Sequence, residues 1–119
     1  MNFLLTAYDY SPKDMIEIAR VVQQEAGNQS ELGKRLVVDT ILNRVDSDDF
    51  PNTPMEVINQ SDQYAKINGY PPEELYSLIA DEIYNTRTNA QVLWFRKHKY
   101  HTYGMPLIKE GDHYFSGVM

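Results

Sequence analysis

The segment NQSELGKRLVVDTILNRV, residues 28–45, decides the fold that the sequence predicts. Asn28 and Glu31, three residues apart, form a capping box that predicts the start of a helix. The apolar side chains after it form a stripe so broad that this helix is expected to be the most buried element. The stripe consists of Leu32, Leu36, Val37, Val38, Ile41, Leu42 and Val45. The segment is therefore expected to be the central helix of the core.

Three further helices are predicted from their starting residues. Ser11 followed by a proline predicts a helix over residues 12–26, and Thr53 followed by a proline predicts a short one that ends near residue 59. Pro71-Pro72 opens another, which ends near residue 85. The first helix has one apolar side, formed by Met15, Ile18, Ala19, Val22 and Ala26. Its predicted polar side carries Lys13, Glu17, Arg20 and Gln24.

The C-terminal third differs in character from the helical part. Residues 92–95 and 113–115 are short aromatic and β-branched runs, and a polar loop containing Gly104-Met105-Pro106 joins them, which predicts a small β-hairpin. Residues 1–82 carry 15 acids and 6 bases, whereas residues 83–119 carry 2 acids and 5 bases. The expected fold class is mainly α (α+β), with about four helices and a C-terminal hairpin in one domain over residues 1–119.

Composition excludes several classes of function. The 119 residues include no cysteine, so the sequence has no disulfide framework, thiolate metal site or cysteine nucleophile. The net charge of −6 argues against binding nucleic acid, which requires a basic surface. No apolar run approaches the length of a membrane span, and Met1 to Tyr10 shows no export signal.

Glu25 is the candidate with the clearest chemical argument. It lies at the margin of the buried stripe in the last turn of the first helix, just before Gly27. Loss of solvation penalises the charged form of a carboxyl there, and a protonated carboxyl facing a cleft can donate its proton to a glycosidic oxygen. The alternative is a glutamate turned to solvent or towards a neighbouring arginine.

Two other features have chemical interpretations. His98, His101 and His113, with Asp112, offer a zinc-like set, but Lys97 and Lys99 disfavour a cation there, so no metal site is expected. The acid-free interval 83–109 mixes basic and aromatic side chains, which suits an acidic carbohydrate or a single nucleic-acid strand. It is equally typical of a solvated loop anchored by its aromatic residues.

Several short motifs together resemble the SleB/CwlJ-type cell wall hydrolases, which include the spore cortex-lytic enzymes. The similarity spans residues 16–116. The motifs are Ala19-Arg20, Glu25-Ala26, Gly33, Ile41-Leu42-Asn43-Arg44-Val45, Phe50-Pro51, Val57-Ile58, Gln63-Tyr64 and Gly111-Asp112-His113-Tyr114-Phe115. The resemblance implies a fold like that of lysozymes and lytic transglycosylases, with Glu25 as the catalytic acid and no cofactor. The implied reaction is lytic transglycosylation of the peptidoglycan glycan strand beside N-acetylmuramic acid.

The resemblance also implies a set of substrate-binding residues. They are Gln63, Tyr64, Trp94, Phe95, His113 and Tyr114. Tyr64 stands where the family usually has phenylalanine, whereas Asn43 and Arg44 look structural. The expected partner is the glycan strand, bound by a monomer, with no nucleic acid and no membrane span; the need for an accessory protein stays open.

Two other functions stay open beside lytic cleavage of the glycan. They are an amidase that cuts the lactyl-peptide bond and a glycan-binding module without turnover. A spore-associated protein, a phage or prophage lysin and an excised domain all fit the absence of an export signal.

Overall fold

Four helices precede three β-strands in the part of the chain that the computed structural model describes, residues 8–60 and 64–118. The helices are α1 (Pro12–Ala26), α2 (Glu31–Asp46), α3 (Pro54–Ile58) and α4 (Glu74–Tyr84). The strands are β1 (Trp94–Lys97), β2 (Met105–Glu110) and β3 (His113–Gly117). The predicted mainly α (α+β) class is confirmed. No helix in the described ranges is long and apolar enough to cross a membrane.

Helix α1 begins and ends where the sequence predicts. The Ser11 hydroxyl accepts a hydrogen bond from the backbone amide of Asp14, whose carboxylate accepts one from the amide of Ser11, a complete capping box. Pro12 occupies the first turn, where no backbone donor is needed. The predicted polar side is wrong at Glu17, which is buried because a later segment of the chain packs over it.

Helix α2 is the most buried helix, as predicted, with every side chain from Leu36 to Val45 buried. It contacts the other three helices and β1. Its N-cap is Ser30 rather than Asn28, because residues 27–29 are needed to turn the chain out of α1. The Ser30 hydroxyl accepts from the amide of Gly33 at 3.0 Å. Leu32 is 41% exposed, since it lies in the first turn, before α2 reaches the core.

The C-terminal part forms a three-stranded antiparallel sheet rather than the predicted hairpin. The two predicted strands do pair, with Phe95 opposite Phe115. However, β2 occupies part of the predicted loop and pairs with the other side of β3, so the strand order is β1-β3-β2. The turn between β2 and β3 contains Gly111 at φ 56°, which a glycine adopts at no steric cost.

Polar side chains buried on α2 attach the sheet to the helices. The Asn43 amide donates to the carbonyl oxygens of Asn89 and Val92, each at 2.9 Å. The Arg44 guanidinium donates to the carbonyl oxygen of Leu93 at 2.7 Å. Because residues 89–93 lead directly into β1, these bonds set the position of the first strand. They are consistent with the structural role predicted for Asn43 and Arg44.

Asp39 and Glu82 form a buried carboxyl pair beside the same segment. Burial, followed by a hydrogen bond to Glu82, raises the pKa of Asp39 to about 8. Burial opposes the charge on Glu82, but hydrogen bonds from Asp39, Thr88 and Arg35 outweigh it and hold its pKa below the usual value. With the pKa of Asp39 raised and that of Glu82 lowered, Asp39 is the member of the pair that carries the proton at neutral pH.

The raised pKa of Asp39 predicts that stability falls as the pH rises. Unfolded Asp39 releases its proton near pH 4, whereas the folded protein keeps it until about pH 8, so the native state binds more protons throughout this window. Asp39→Asn keeps a donor to Glu82 and an acceptor for the Asn89 amide without titrating. We expect the variant to gain on the order of 2 kcal/mol relative to the unsubstituted chain between pH 5 and pH 8.

Urea unfolding at several pH values measures this effect. The exposed Asp48→Asn is the control, and its unfolding free energy should follow that of the unsubstituted chain at every pH. If the unfolding free energies of Asp39→Asn and Asp48→Asn changed with pH in the same way, Asp39 would not be the group that holds the buried proton.

Candidate active site

Glu25 lies in the last turn of α1 with its side chain half-buried. Its carboxylate accepts a hydrogen bond from the backbone amide of Ala65 at 2.9 Å. The partner is therefore a backbone donor forty residues away rather than a neighbouring arginine. The bond orients one carboxylate oxygen and leaves the group partly open to solvent.

The segment 64–69 that supplies this amide runs along α1. The Ile67 amide donates to the carbonyl oxygen of Arg20 at 3.2 Å, and the Arg20 guanidinium donates to the carbonyl oxygen of Gly69 at 3.0 Å. Lys66 Nζ lies 2.7 Å from Glu17 Oε1. Burial opposes the charge on Glu17, but Lys66 and Arg20 outweigh it and lower its pKa. The helix that carries Glu25 thus also holds the segment that orients it.

Tyr64 places an aromatic ring and an enclosed hydroxyl beside Glu25. Its ring lies 6.0 Å from that of Phe95, between centroids, and 5.3 Å from the Arg44 guanidinium carbon. The hydroxyl has no hydrogen-bond partner in the described part of the chain. Burial raises the pKa of Tyr64 to about 12, the Arg44 charge opposes this rise, and the nearby Glu25 charge adds to it. The hydroxyl therefore stays protonated and can act as a donor.

His113 lies behind Phe95 on the inner face of the sheet. It is 1% exposed, and its ring is 5.1 Å from that of Phe95, between centroids. Neither ring nitrogen has a hydrogen-bond partner within residues 8–60 and 64–118. Burial, with the Lys97 charge adding to it, lowers the pKa of His113, so the ring is neutral at neutral pH.

The structure divides the predicted substrate-binding residues between two faces of the sheet. Phe95 and His113 share the inner face with Phe115. Trp94 and Tyr114 alternate with them and lie on the outer face, where Trp94 packs against other aromatic rings. One continuous wall of all four is therefore not formed. Gln63 lies outside the described residues, and its role stays a prediction.

Two hydrogen-bonded pairs join the turn after α1 to the β2–β3 turn, and the sequence reasoning missed both. The Gln29 amide nitrogen donates to the Asp112 carboxylate at 2.9 Å, while its oxygen accepts from the Asp112 backbone amide at 3.0 Å. Ser30 donates to Glu110 at 2.9 Å. Because Gln29 follows Glu25 by four residues and Asp112 precedes His113, these pairs set the spacing between α1 and the sheet. In the sequence, the Gly111-Asp112 pair was the feature that could have indicated this turn and its contacts.

The three histidines do not converge. His98 is exposed, with a left-handed backbone conformation at φ 77°. His101 Nε2 donates to the carbonyl oxygen of Phe95 at 3.4 Å. His113 is buried on the inner face of the sheet. No group of three or more metal-ligating His, Asp or Glu side chains occurs among the residues that the structure describes.

A separate cavity of about 500 Å³ opens at the C-terminal end of α2. Its lining consists of Asn43, Asp46, Ser47, Arg87, Ala90, Gln91, Leu93, Met105, Leu107 and Val118. No predicted site residue takes part in this lining, so the cavity adds nothing to the candidate active site.

Comparison with known proteins identifies close structural relatives. A model of the cell wall hydrolase family matches residues 28–116, a range that begins just after Glu25. The catalytic domain of the Bacillus cereus SleB protein has a TM-score of 0.82 and 26% identity, covering 93% of this chain and 95% of that one. The catalytic domain of the germination-specific lytic transglycosylase SleB from Bacillus anthracis has a TM-score of 0.78 and 27% identity, covering 90% and 96%. No curated protein sequence matches the chain.

Gly111→Ala tests the link between α1 and the sheet. A Cβ at this position would clash with Gln29 Oε1, on a backbone with φ 56°. We expect the unfolding free energy to fall by about 2 kcal/mol, because the turn is strained and the Gln29–Asp112 bonds are lost.

Gly69→Ala is the matched control, since a Cβ there would meet no atom within 4 Å. Its unfolding free energy should change by no more than about 0.5 kcal/mol. Equal losses in the two variants, measured by urea unfolding, would show that the Gln29 contact is not the cause.

Proposed function

The chain belongs to the cell wall hydrolase family, and from that membership we propose that it cleaves the peptidoglycan glycan strand with Glu25 as the catalytic acid. The bond to be cleaved lies beside N-acetylmuramic acid. Similarity to two SleB catalytic domains supports this assignment. The observation that carries the proposal is the placement of Glu25, a half-open carboxyl held in one orientation at a helix end.

The proposed reaction begins with proton transfer from Glu25. The protonated carboxyl donates its proton to the bridging oxygen, the bond between that oxygen and the muramic C1 breaks, and an oxocarbenium-like centre forms. The C6 hydroxyl of the same sugar attacks C1 and returns its proton to the Glu25 carboxylate. The products are a 1,6-anhydro sugar end and a free hydroxyl end, and the enzyme regains its starting state.

This route requires only one carboxyl. The usual glycosidases place a second carboxylate across the scissile bond. Glu17 lies two turns before Glu25 on the same helix, but Lys66 and Arg20 engage both of its oxygens. Glu17 therefore holds the 64–69 segment in place and is not the second carboxylate of such a pair. Lytic transglycosylation, the reaction that the family resemblance implies, is the proposed route.

The neighbours of Glu25 have supporting roles in the proposal. Tyr64 packs beside the acid, against Phe95 and the Arg44 guanidinium, and its enclosed hydroxyl stays protonated. Phe95 backs Tyr64, and buried His113 supports Phe95 from the sheet. His113 is thus a positioning residue rather than a direct contact to the sugar.

The wall type is proposed by analogy with one of the solved relatives. The Bacillus anthracis protein is described as germination-specific, which favours a spore-associated role over that of a phage lysin. Digestion of spore and vegetative walls, with mass spectrometry of the products, distinguishes the two roles.

Glu25→Gln tests the catalytic acid. Glutamine keeps an oxygen that accepts the Ala65 amide, so the fold should be retained, but it has no proton to donate. We expect release of anhydro-muropeptides to fall by about a hundred-fold to ten-thousand-fold. The measurement is the rate of product formation by mass spectrometry.

Glu31→Gln is the control, because it removes an exposed carboxyl close along the chain by the same change. Its rate should equal that of the unsubstituted protein. Full activity of Glu25→Gln would show that Glu25 is not the catalytic acid.

Two other results would indicate the alternative functions. Cleavage of lactyl-peptide bonds, with loss of activity in a strong chelator, would indicate a zinc amidase. Binding without any released fragment would indicate a glycan-binding module.

A further inference from the structure

A row of three side chains crosses the outer face of the sheet. Arg96 of β1 and Lys109 of β2 are both register partners of Tyr114 on the central strand β3. Register partners in an antiparallel sheet have side chains on the same face, and neighbouring strands lie about 4.8 Å apart. The two cations therefore flank one aromatic ring, with their backbones about 10 Å apart.

Aromatic and cationic contacts organise this row. Lys109 Nζ lies 5.7 Å from the centroid of the Tyr114 ring. The Tyr100 ring meets the Tyr114 ring edge to face, with centroids 5.0 Å apart and planes at 77°. Both tyrosines are half-exposed. We name Arg96, Tyr100, Lys109 and Tyr114 the outer platform.

The positive charge of the outer platform is not neutralised from within the protein. Neither Arg96 nor Lys109 has an ion pair with a carboxylate among residues 8–60 and 64–118. The two acids of the C-terminal third are engaged elsewhere, since Ser30 donates to Glu110 and Gln29 donates to Asp112. A chain with a net charge of −6 therefore keeps a local cationic surface.

The outer platform is separate from the candidate active site. Tyr114 alternates along β3 with His113 and Phe115, which face inward. The inward residue Phe95 is the one that contacts Tyr64, beside Glu25. A ligand on the outer face would therefore not compete with a glycan bound at Glu25.

The chemistry of the outer platform fits an acidic glycan. Ring faces of tyrosine stack on the C–H faces of sugars, while arginine and lysine bind carboxylates through charge-assisted hydrogen bonds. The two cations are carried by strands on either side of the Tyr114 strand, so both charges flank a polymer that lies over this ring. A single nucleic-acid strand is a weaker fit, because its affinity depends on several Lys and Arg contacts to phosphates and the outer platform offers only two cations.

We propose that the outer platform is a second peptidoglycan-binding surface, which holds the carboxylate-bearing wall polymer on the face of the sheet opposite the active site. The proposal rests on the proposed substrate class but not on turnover. Retention on this surface would keep the enzyme on an insoluble polymer between successive cleavages at Glu25.

The test is co-sedimentation of the full chain with insoluble peptidoglycan stripped of other polymers. Arg96→Ala/Lys109→Ala is expected to bind about tenfold more weakly than the unsubstituted chain. Lys13→Ala/Lys34→Ala removes the same charge away from the sheet and should bind as the unsubstituted chain does. The same comparison in a Glu25→Gln background separates binding from cleavage. Amidation of the peptidoglycan carboxylates should abolish the difference between the two double variants.

Three results would overturn the proposal. They are equal binding by the two double variants, unchanged binding after amidation of the carboxylates, and stronger competition from single-stranded DNA than from soluble glycan. Cleavage of short soluble glycans by Arg96→Ala/Lys109→Ala should proceed at the unsubstituted rate. If the unsubstituted chain cleaves no glycan, the proposed function fails, while sedimentation still decides whether the platform binds the wall.

Discussion

Hydrogen bonds from buried polar side chains of α2 to residues 89–93 hold the sheet against the helices, and the arrangement of the site depends on them. Asn43 and Arg44 bind three carbonyl oxygens of this segment, and Asp39 accepts from its first amide. Loss of one such partner leaves a buried polar group unsatisfied, at a cost of about 1–3 kcal/mol. Because the segment continues into β1, these bonds place Phe95 next to Tyr64.

Helix α1 acts as the common support for the other side of the site. Its middle residues Glu17 and Arg20 hold the 64–69 segment, whose Ala65 amide orients Glu25. The turn after α1 is joined to the sheet through Gln29. Glu25 therefore lies between two contacts of the α1 region, one with the 64–69 segment and one with the β2–β3 turn. The two faces of the sheet then have different surroundings, an inner face packed towards the site and an outer face that carries unneutralised cations.

Local chemistry explains which elements could be predicted. The start of helix α1 was predicted because Ser11, Pro12 and Asp14 act within one turn and need no distant partner. The predicted start of α2 was wrong because both Asn28 and Ser30 can serve as the N-cap, and the turn that leaves α1 makes Ser30 the N-cap. Strand β2 was missed because its alternation is weak and its pairing with β3 supplies most of its order.

The sequence by itself determined the helices, the fold class, the family resemblance and the position of Glu25 at the margin of a buried stripe. These properties depend on spacing and capping within a few residues, which the order of amino acids specifies directly. Only the tertiary structure decided that Ala65 orients Glu25, that Glu17 and Asp39 are buried, and that Tyr114 and His113 lie on opposite faces of one sheet. Each of these depends on contacts between segments far apart in the chain, which form only when the core packs.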